Sequence, residues 1–202
     1  MMALAMPPPE KPRYEEIDAA TLDRARALEP MAVRAFVIRY ERTVFALISR
    51  VLGHGAHVED LAQETFLKAV RALPAFDPAG PARPSTWLLT IATRVALDAR
   101  KKRRIPTTSL DAIEGAASPA DPATPETERK RRDLGRAIER AAADLSDDMR
   151  AAFVLADIHG LTMAEIANAL SIPEATAKTR VFRARKHLRE RLAPLREEDS
   201  HE

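Results

Sequence analysis

The chain has 202 residues, 46% hydrophobic and 31% charged, with 32 Lys and Arg against 30 Asp and Glu, a composition that supports a core and excludes wholesale disorder. It contains no cysteine, which excludes disulfides, thiol catalysis and Cys-based zinc or iron–sulfur sites. No apolar run approaches the ~18 residues of a membrane span, and Met1 to Met6 before three prolines is too short for a secretory signal; the expectation is a soluble, cytoplasmic chain with no direct membrane insertion.

Few glycines and aromatics, and many Ala, Leu, Arg and Glu, favour helix over sheet. In chain order, Ile17 to Leu28 has the pattern of a short helix with no evident role. Val33, Phe36, Val37, Tyr40, Val44, Leu47, Ile48 and Val51 recur at three- and four-residue steps, one apolar stripe with Pro30 near its start and Gly53 after its end. A second helix runs from about His57 to Leu73, burying Val58, Ala62, Phe66, Ala69 and Leu73 and ending at Pro74. Asp60, Gln63, Glu64 and Lys68 lie off that stripe. Pro74 to Pro84 is a proline-stiffened loop. A third helix is expected from Ser85 as N-cap, burying Leu88, Ile91 and Val95, with Trp87 beside them. It ends in Arg100-Lys101-Lys102-Arg103-Arg104, which suits the negative end of a helix dipole and, with Arg94 upstream, makes a basic strip that fits nucleic acid.

Ile105 to Glu128 has four prolines and little large apolar material, the composition of a tether. Charge follows the same division. Residues 31–104 carry 13 basic and 6 acidic groups (+7), residues 105–128 none and 5 (−5), and residues 129–192 carry 14 and 9 (+5). The near-neutral total therefore conceals two basic blocks around an acidic one. The reading is an all-α chain of two small helical domains: an N-terminal extension 1–30, a bundle 31–104, a flexible acidic linker 105–128, a helix-turn-helix domain 129–193 and an acidic tail 194–202.

In the second domain Ser146 is a plausible N-cap for a helix carrying Met149, Ala152, Phe153 and Ala156, ending near Gly160. Thr162 and Glu165 form a capping box for Met163 to Leu170. Ser171-Ile172-Pro173 makes a tight turn, and a helix from Glu174 buries Ala177, Val181, Ala184, Leu188 and Leu192. Short helix, turn and longer helix form the helix-turn-helix arrangement. Lys178, Thr179, Phe182 and Arg183 share the exposed face of the longer helix, where Arg183 can pair with guanine and Phe182 pack on a thymine methyl. Arg180, Arg185 and Lys186 add charge for phosphates.

These residues resemble a known family. Val58-Glu-Asp-Leu-Ala-Gln-Glu-Thr-Phe-Leu-Lys-Ala-Val-Arg71 followed by Thr86-Trp-Leu-Leu-Thr-Ile-Ala92 resembles region 2 of extracytoplasmic-function (group IV) sigma factors of the sigma-70 superfamily. Leu161-Thr-Met-Ala-Glu-Ile-Ala167 with Ala175-Thr-Ala-Lys-Thr-Arg-Val-Phe-Arg-Ala-Arg185 resembles their region 4. The resemblance covers roughly residues 33–104 and 138–192. It implies a bacterial transcription initiation factor that brings core RNA polymerase to promoters, is then released, and is held inactive by an anti-sigma factor. By the same resemblance Asp60, Gln63 and Glu64 meet the clamp coiled coil of the polymerase, and the second domain its flap. Trp87, Arg94, Arg100, Lys101, Arg103 and Arg104 serve the minus-10 element. Lys178, Thr179, Phe182 and Arg183, with Arg180, Arg185 and Lys186, serve the minus-35 element. The linker would thread a positively charged channel. Arg94 departs from the Asn common in the family.

Two rival classes fit less well. No phosphate loop or nucleophile motif accompanies the carboxylates of an enzyme, and His54 and His57 lack a second ligand pair for a metal, so no cofactor and no small-molecule substrate are expected. His159 and His187 read as a helix end and a polar face. A free-standing repressor would need dimer symmetry to match two half-sites.

Overall fold

The computed structural model describes residues 15–53, 55, 57–104, 135, 137, 140–142 and 144–198. It is helical, with no strand among the described residues. The helices are α1 (Ala19–Arg26), α2 (Pro30–Leu52), α3 (His57–Ala72), α4 (Pro84–Arg104), α5 (Asp147–Phe153), α6 (Met163–Leu170) and α7 (Glu174–Glu198). The expected linker 105–128 and His54 lie outside the described residues, as do residues 199–202 of the tail.

The apolar stripe of α2 becomes the axis of the first bundle. Phe36, Val44, Leu47, Ile48 and Val51 are fully buried, and each contributes about 1.5–3 kcal/mol relative to exposure. Phe36 and Tyr40 meet edge to face at 5.0 Å. Pro30 takes the first position of α2, where its missing N–H costs nothing. Gly53 closes the helix at φ 88°, a value that favours glycine. Helices α1, α3 and α4 pack around α2. Asp18 caps α1 by accepting from Thr21 N–H at 2.9 Å. Pro74 sits in a single 3₁₀ turn, Leu73–Ala75, that follows α3.

Ser85 is not the N-cap of α4. The helix begins one residue earlier, at Pro84, and its first bond runs from Trp87 N–H to the Arg83 carbonyl at 2.9 Å. Proline's fixed φ and absent N–H suit the first helical position, which pushes Ser85 inside the first turn.

In the second module the expected caps form. Ser146 accepts from Met149 N–H at 3.4 Å. Thr162 and Glu165 make the reciprocal capping box, with Thr162 N–H donating to the Glu165 carboxylate at 2.8 Å. After α5 the chain widens into a π turn, Val154–Ile158, which His159 N–H closes onto the Val154 carbonyl at 3.0 Å. Between α6 and α7, Ser171 adopts φ 53°, ψ 49°. Ile172 N–H returns to the Ala167 carbonyl and Ser171 N–H to that of Asn168, a Schellman closure that finishes α6.

The two modules pack on each other. Helix α4 lies against α6, and α2 against α5 and the π turn. Leu155 and Ile166, both fully buried, belong to the same apolar cluster as Phe36, Leu88 and Leu89. A smaller cluster of Ala141, Leu145, Ala184 and Leu188 holds α7 to the segment before α5. Arg150, buried with 7% exposure, joins both: it donates to the carbonyls of Ala142 (2.9 Å), Leu145 (3.2 Å) and, across the modules, Val51 (3.1 Å).

Candidate nucleic-acid interface

On α7, Ala177, Val181, Ala184 and Leu188 turn inward, which leaves Lys178, Thr179, Phe182, Arg183 and Lys186 on the exposed face. Phe182 is 66% exposed, an isolated large apolar side chain amid positive charge. The basic residues divide into two groups. Arg180 pairs with Asp148 at 2.9 Å and Arg185 with Asp157 at 3.0 Å, and Arg191 reaches Asp144; these tie α7 to the elements before it. Lys178 and Lys186 face outward, each with an i,i+4 glutamate, Glu174 at 2.8 Å and Glu190 at 3.8 Å. Such exposed pairs are worth a few tenths of a kcal/mol and exchange readily for a phosphate. Thr179 spends its hydroxyl on the Ala175 carbonyl at 2.9 Å.

The expected minus-10 residues are arranged differently. Trp87 is half-buried and packs on Phe76 with ring centroids 5.0 Å apart. Phe76 begins the proline-rich loop, and Asp77 orders that loop by accepting from Ala79 N–H at 2.9 Å. Arg94 donates to the Asn168 carbonyl of α6 at 3.0 Å, and about two turns upstream Thr86 donates to the Glu165 carboxylate at 3.2 Å. One face of α4 is thus covered by α6. Buried Thr90 and Thr93 return their hydroxyls to the carbonyls of Thr86 and Leu89 on their own helix. Arg100 pairs with Asp147 at 3.0 Å, and Lys101 is exposed. Arg103 and Arg104 lie in the last turn of α4, and their side chains are outside the described residues.

Asp60, Gln63 and Glu64 are all exposed on α3, with Glu64 paired to Lys68 at 2.7 Å. Beside them lies a groove between α2 and α3 of about 580 Å³, lined by Val37, Phe45 and Leu67 and rimmed by Glu41, Glu59 and Gln63. Leu67 is 59% exposed and Phe45 39%. Of the residues expected here from sequence, Gln63 lies on the rim and Asp60 and Glu64 lie beside it, while the acids of the rim, Glu41 and Glu59, and the apolar floor were missed. The signal for the floor was present: Leu67 and Phe45 fall beside, rather than on, the buried stripes. An apolar floor with a negative rim is the complement of an amphipathic, basic helix.

Comparison with known proteins identifies the family of both modules. Sigma-70 region 2 matches residues 36–105, and Sigma-70 region 4 matches residues 135–188. The chain is 32% identical over 185 residues to the ECF RNA polymerase sigma-E factor of Escherichia coli strain K12, covering 88% of this chain and 95% of that protein. It is 30% identical over 188 residues to the RNA polymerase sigma-H factor of Pseudomonas aeruginosa, covering 90% and 96%. The fold is shared with CnrH in its complex with the cytosolic domain of CnrY (TM-score 0.60, 24% identity, 87% and 96% covered). It is also shared with the sigma factor RpoE of Bartonella quintana in complex with the anti-sigma factor NepR (TM-score 0.62, 22% identity, 79% and 96% covered). Two sigma-70 regions in order, with relatives that match along almost the whole chain, place this protein in the extracytoplasmic-function branch of the sigma-70 superfamily of RNA polymerase sigma factors.

Proposed function

We propose that this sigma factor docks on core RNA polymerase through the α2–α3 groove, rimmed by Glu41, Glu59 and Gln63, and the neighbouring exposed Asp60 and Glu64 of α3, and directs it to promoters through two separate DNA surfaces. The observation that carries the reading is the exposed face of α7. Lys178 and Arg183 flank the exposed Phe182 on the second helix of a helix-turn-helix, the arrangement that reads base edges in a major groove. This surface takes the minus-35 element. The second surface is α4, where Trp87, Arg94 and the basic end of the helix take the minus-10 element. Because α6 covers Thr86 and Arg94, α4 meets a promoter only after the modules separate, so polymerase binding and separation are coupled. The acidic residues 105–128 occupy a positively charged channel between the two sites. The chain is held inactive by an anti-sigma partner, a reading supported by the complex of the structurally similar sigma factor RpoE with the anti-sigma factor NepR. It works in the cytoplasm, beside the chromosome, with no catalytic chemistry, cofactor or small-molecule substrate of its own.

Run-off transcription with core polymerase and this protein on a promoter library is the direct test. The expected result is a set of transcripts sharing one minus-10 and one minus-35 sequence, with little binding of the protein alone to duplex DNA. Tight operator binding by the isolated protein, without polymerase association, overturns the reading in favour of a repressor.

A further inference from the structure

The N-terminus of α4 lacks a local cap. Pro84 has no N–H, Trp87 N–H returns to the Arg83 carbonyl, and Arg83 itself has no side-chain acceptor to offer the first turn. The acceptor comes from 69 residues earlier. One oxygen of the Glu16 carboxylate accepts from Ser85 N–H at 3.2 Å and from the Tyr40 hydroxyl at 2.7 Å, and the other accepts from the Ser85 hydroxyl. Tyr40 in turn accepts from Ile17 N–H at 3.1 Å. Arg39 donates to the Glu15 carbonyl at 2.8 Å and pairs with the Glu15 carboxylate at 3.0 Å. Residues 15–17 are thereby fastened to α2 on one side and to the first turn of α4 on the other. Two residues beyond Ser85 stands Trp87, set against Phe76 at the mouth of the proline-rich loop.

We propose that Glu16 is a positioning residue for promoter opening, acting through Ser85 to fix the first turn of α4 and so the placement of Trp87. The inference rests on the reading of α4 as the minus-10 surface. A carboxylate at a helix N-terminus satisfies orphan donors and complements the helix dipole. Here the helix so capped is the one on which strand separation depends, and the cap sits within one turn of the aromatic side chain that meets an unstacked base. Unstacking a base costs a few kcal/mol, and stacking on an aromatic recovers that only if the ring is already in place. Losing the cap lets the first turn fray, and Trp87 with it, while the α2–α3 groove and the face of α7 stay as they are.

The test uses holoenzyme assembled from core polymerase and full-length chain. Three quantities are measured: core affinity by competition, initiation on a duplex promoter, and initiation on the same promoter pre-melted across the minus-10 element. Glu16→Ala is expected to slow initiation on duplex DNA by about tenfold, the fold-change equivalent of one helix cap. On the pre-melted template and in core affinity it is expected to match the unsubstituted protein within about twofold, a difference under ~0.5 kcal/mol. Glu16→Gln is expected to restore most of the rate, because its amide oxygen can still accept from Ser85 N–H and Tyr40 and its NH₂ can donate to the Ser85 hydroxyl. Glu16→Ala combined with Ser85→Ala is expected to be no slower than Glu16→Ala alone. Equal losses on both templates, no loss on either, failure of Glu16→Gln to rescue, or additive losses in the double variant would each overturn the proposal. Absence of initiation by the unsubstituted holoenzyme on both templates would instead overturn the functional reading beneath it.

Discussion

Replacing Arg150 with methionine tests the claim that one buried cation holds three backbone ends and joins the two modules. Its guanidinium donates to the carbonyls of Ala142, Leu145 and Val51 at 2.9–3.2 Å, and Val51 lies in the last turn of α2, where carbonyls have no helical partner. Burial lowers the Arg150 pKa, with the neighbouring Arg100 adding to that and Asp147 opposing it, yet a guanidinium stays protonated at any ordinary pH. Methionine fills much of the volume but strands the carbonyls. Each bond from a charged donor is worth about 1.5–3 kcal/mol, and part of that sum is returned because the cation no longer has to be desolvated. The net expectation is a loss of about 3–5 kcal/mol, the usual cost of breaking a buried charged network by removing one partner. At about 2–4 °C per kcal/mol for a chain of this size, thermal unfolding followed by circular dichroism should move down by roughly 6–20 °C. Arg150→Lys keeps the charge but cannot reach three carbonyls from one ammonium, so it should recover less than half of the loss. A loss below about 1 kcal/mol for Arg150→Met, the worth of a single neutral hydrogen bond, would refute the reasoning. So would full recovery by lysine.

Four further outcomes follow from the geometry. Arg183→Ala and Phe182→Ala should each weaken discrimination between matched and mismatched minus-35 promoters by about 1–3 kcal/mol while leaving core affinity unchanged, as read by transcription from promoter variants. Leu67→Asp, at a side chain 59% exposed, should leave the melting temperature within about 2 °C and weaken core polymerase binding by at least ~1 kcal/mol in a competition assay. Burial, reinforced by Glu16, raises the Tyr40 pKa above its ordinary value of 10.0; stability it contributes is therefore complete below pH 10 and lost as pH rises through the folded-state value. Denaturant titrations from pH 8 upward should show an alkaline decline that Tyr40→Phe reduces. Arg94→Ala removes the bond to the Asn168 carbonyl, and energy transfer between dyes on α1 and α7 should fall as separated modules become more populated.

Much of the fold was legible because helix periodicity and caps are local. The stripe on α2 and that on α3 became buried faces, Pro30 began α2, and the Thr162–Glu165 box began α6 with both of its reciprocal bonds. What the sequence concealed was partnership at long range. The cap of α4 comes from Glu16, and no pattern of i to i+4 spacing points across 69 residues. Arg94 finds a backbone carbonyl, a partner that every residue offers and that leaves no side-chain signature. Along the chain, Lys178 and Arg183 fall on one exposed face of α7, while Arg180, Arg185 and Lys186 read as further charge for phosphates. The division of the basic residues into Arg180, Arg185 and Arg191 as anchors, and Lys178, Arg183 and Lys186 as an outward face, depends on acids placed by α5 and the turns beside it. The short helix Ala19–Arg26 was visible, but its attachment to α2 was not.

Helix α4 draws these observations together. One of its faces carries the contacts between modules: Thr86 to Glu165, Arg94 to Asn168 and, near its end, Arg100 to Asp147. These are partly exposed, so each is worth about 1 kcal/mol or less, but they act together with shared apolar burial. A promoter competing for this face must displace them all. The face of α7 and the α2–α3 groove face no such competition, since both are open while the modules are packed together. The groove is therefore available to a polymerase before α4 is available to DNA. If the polymerase then binds the separated arrangement more tightly than the packed one, the difference in its affinity for the two sets how far the equilibrium moves, and a few kcal/mol suffice to invert it. For the proposed α4 surface, then, access to a promoter in the company of polymerase follows from where α6 packs, while the α7 face is open throughout.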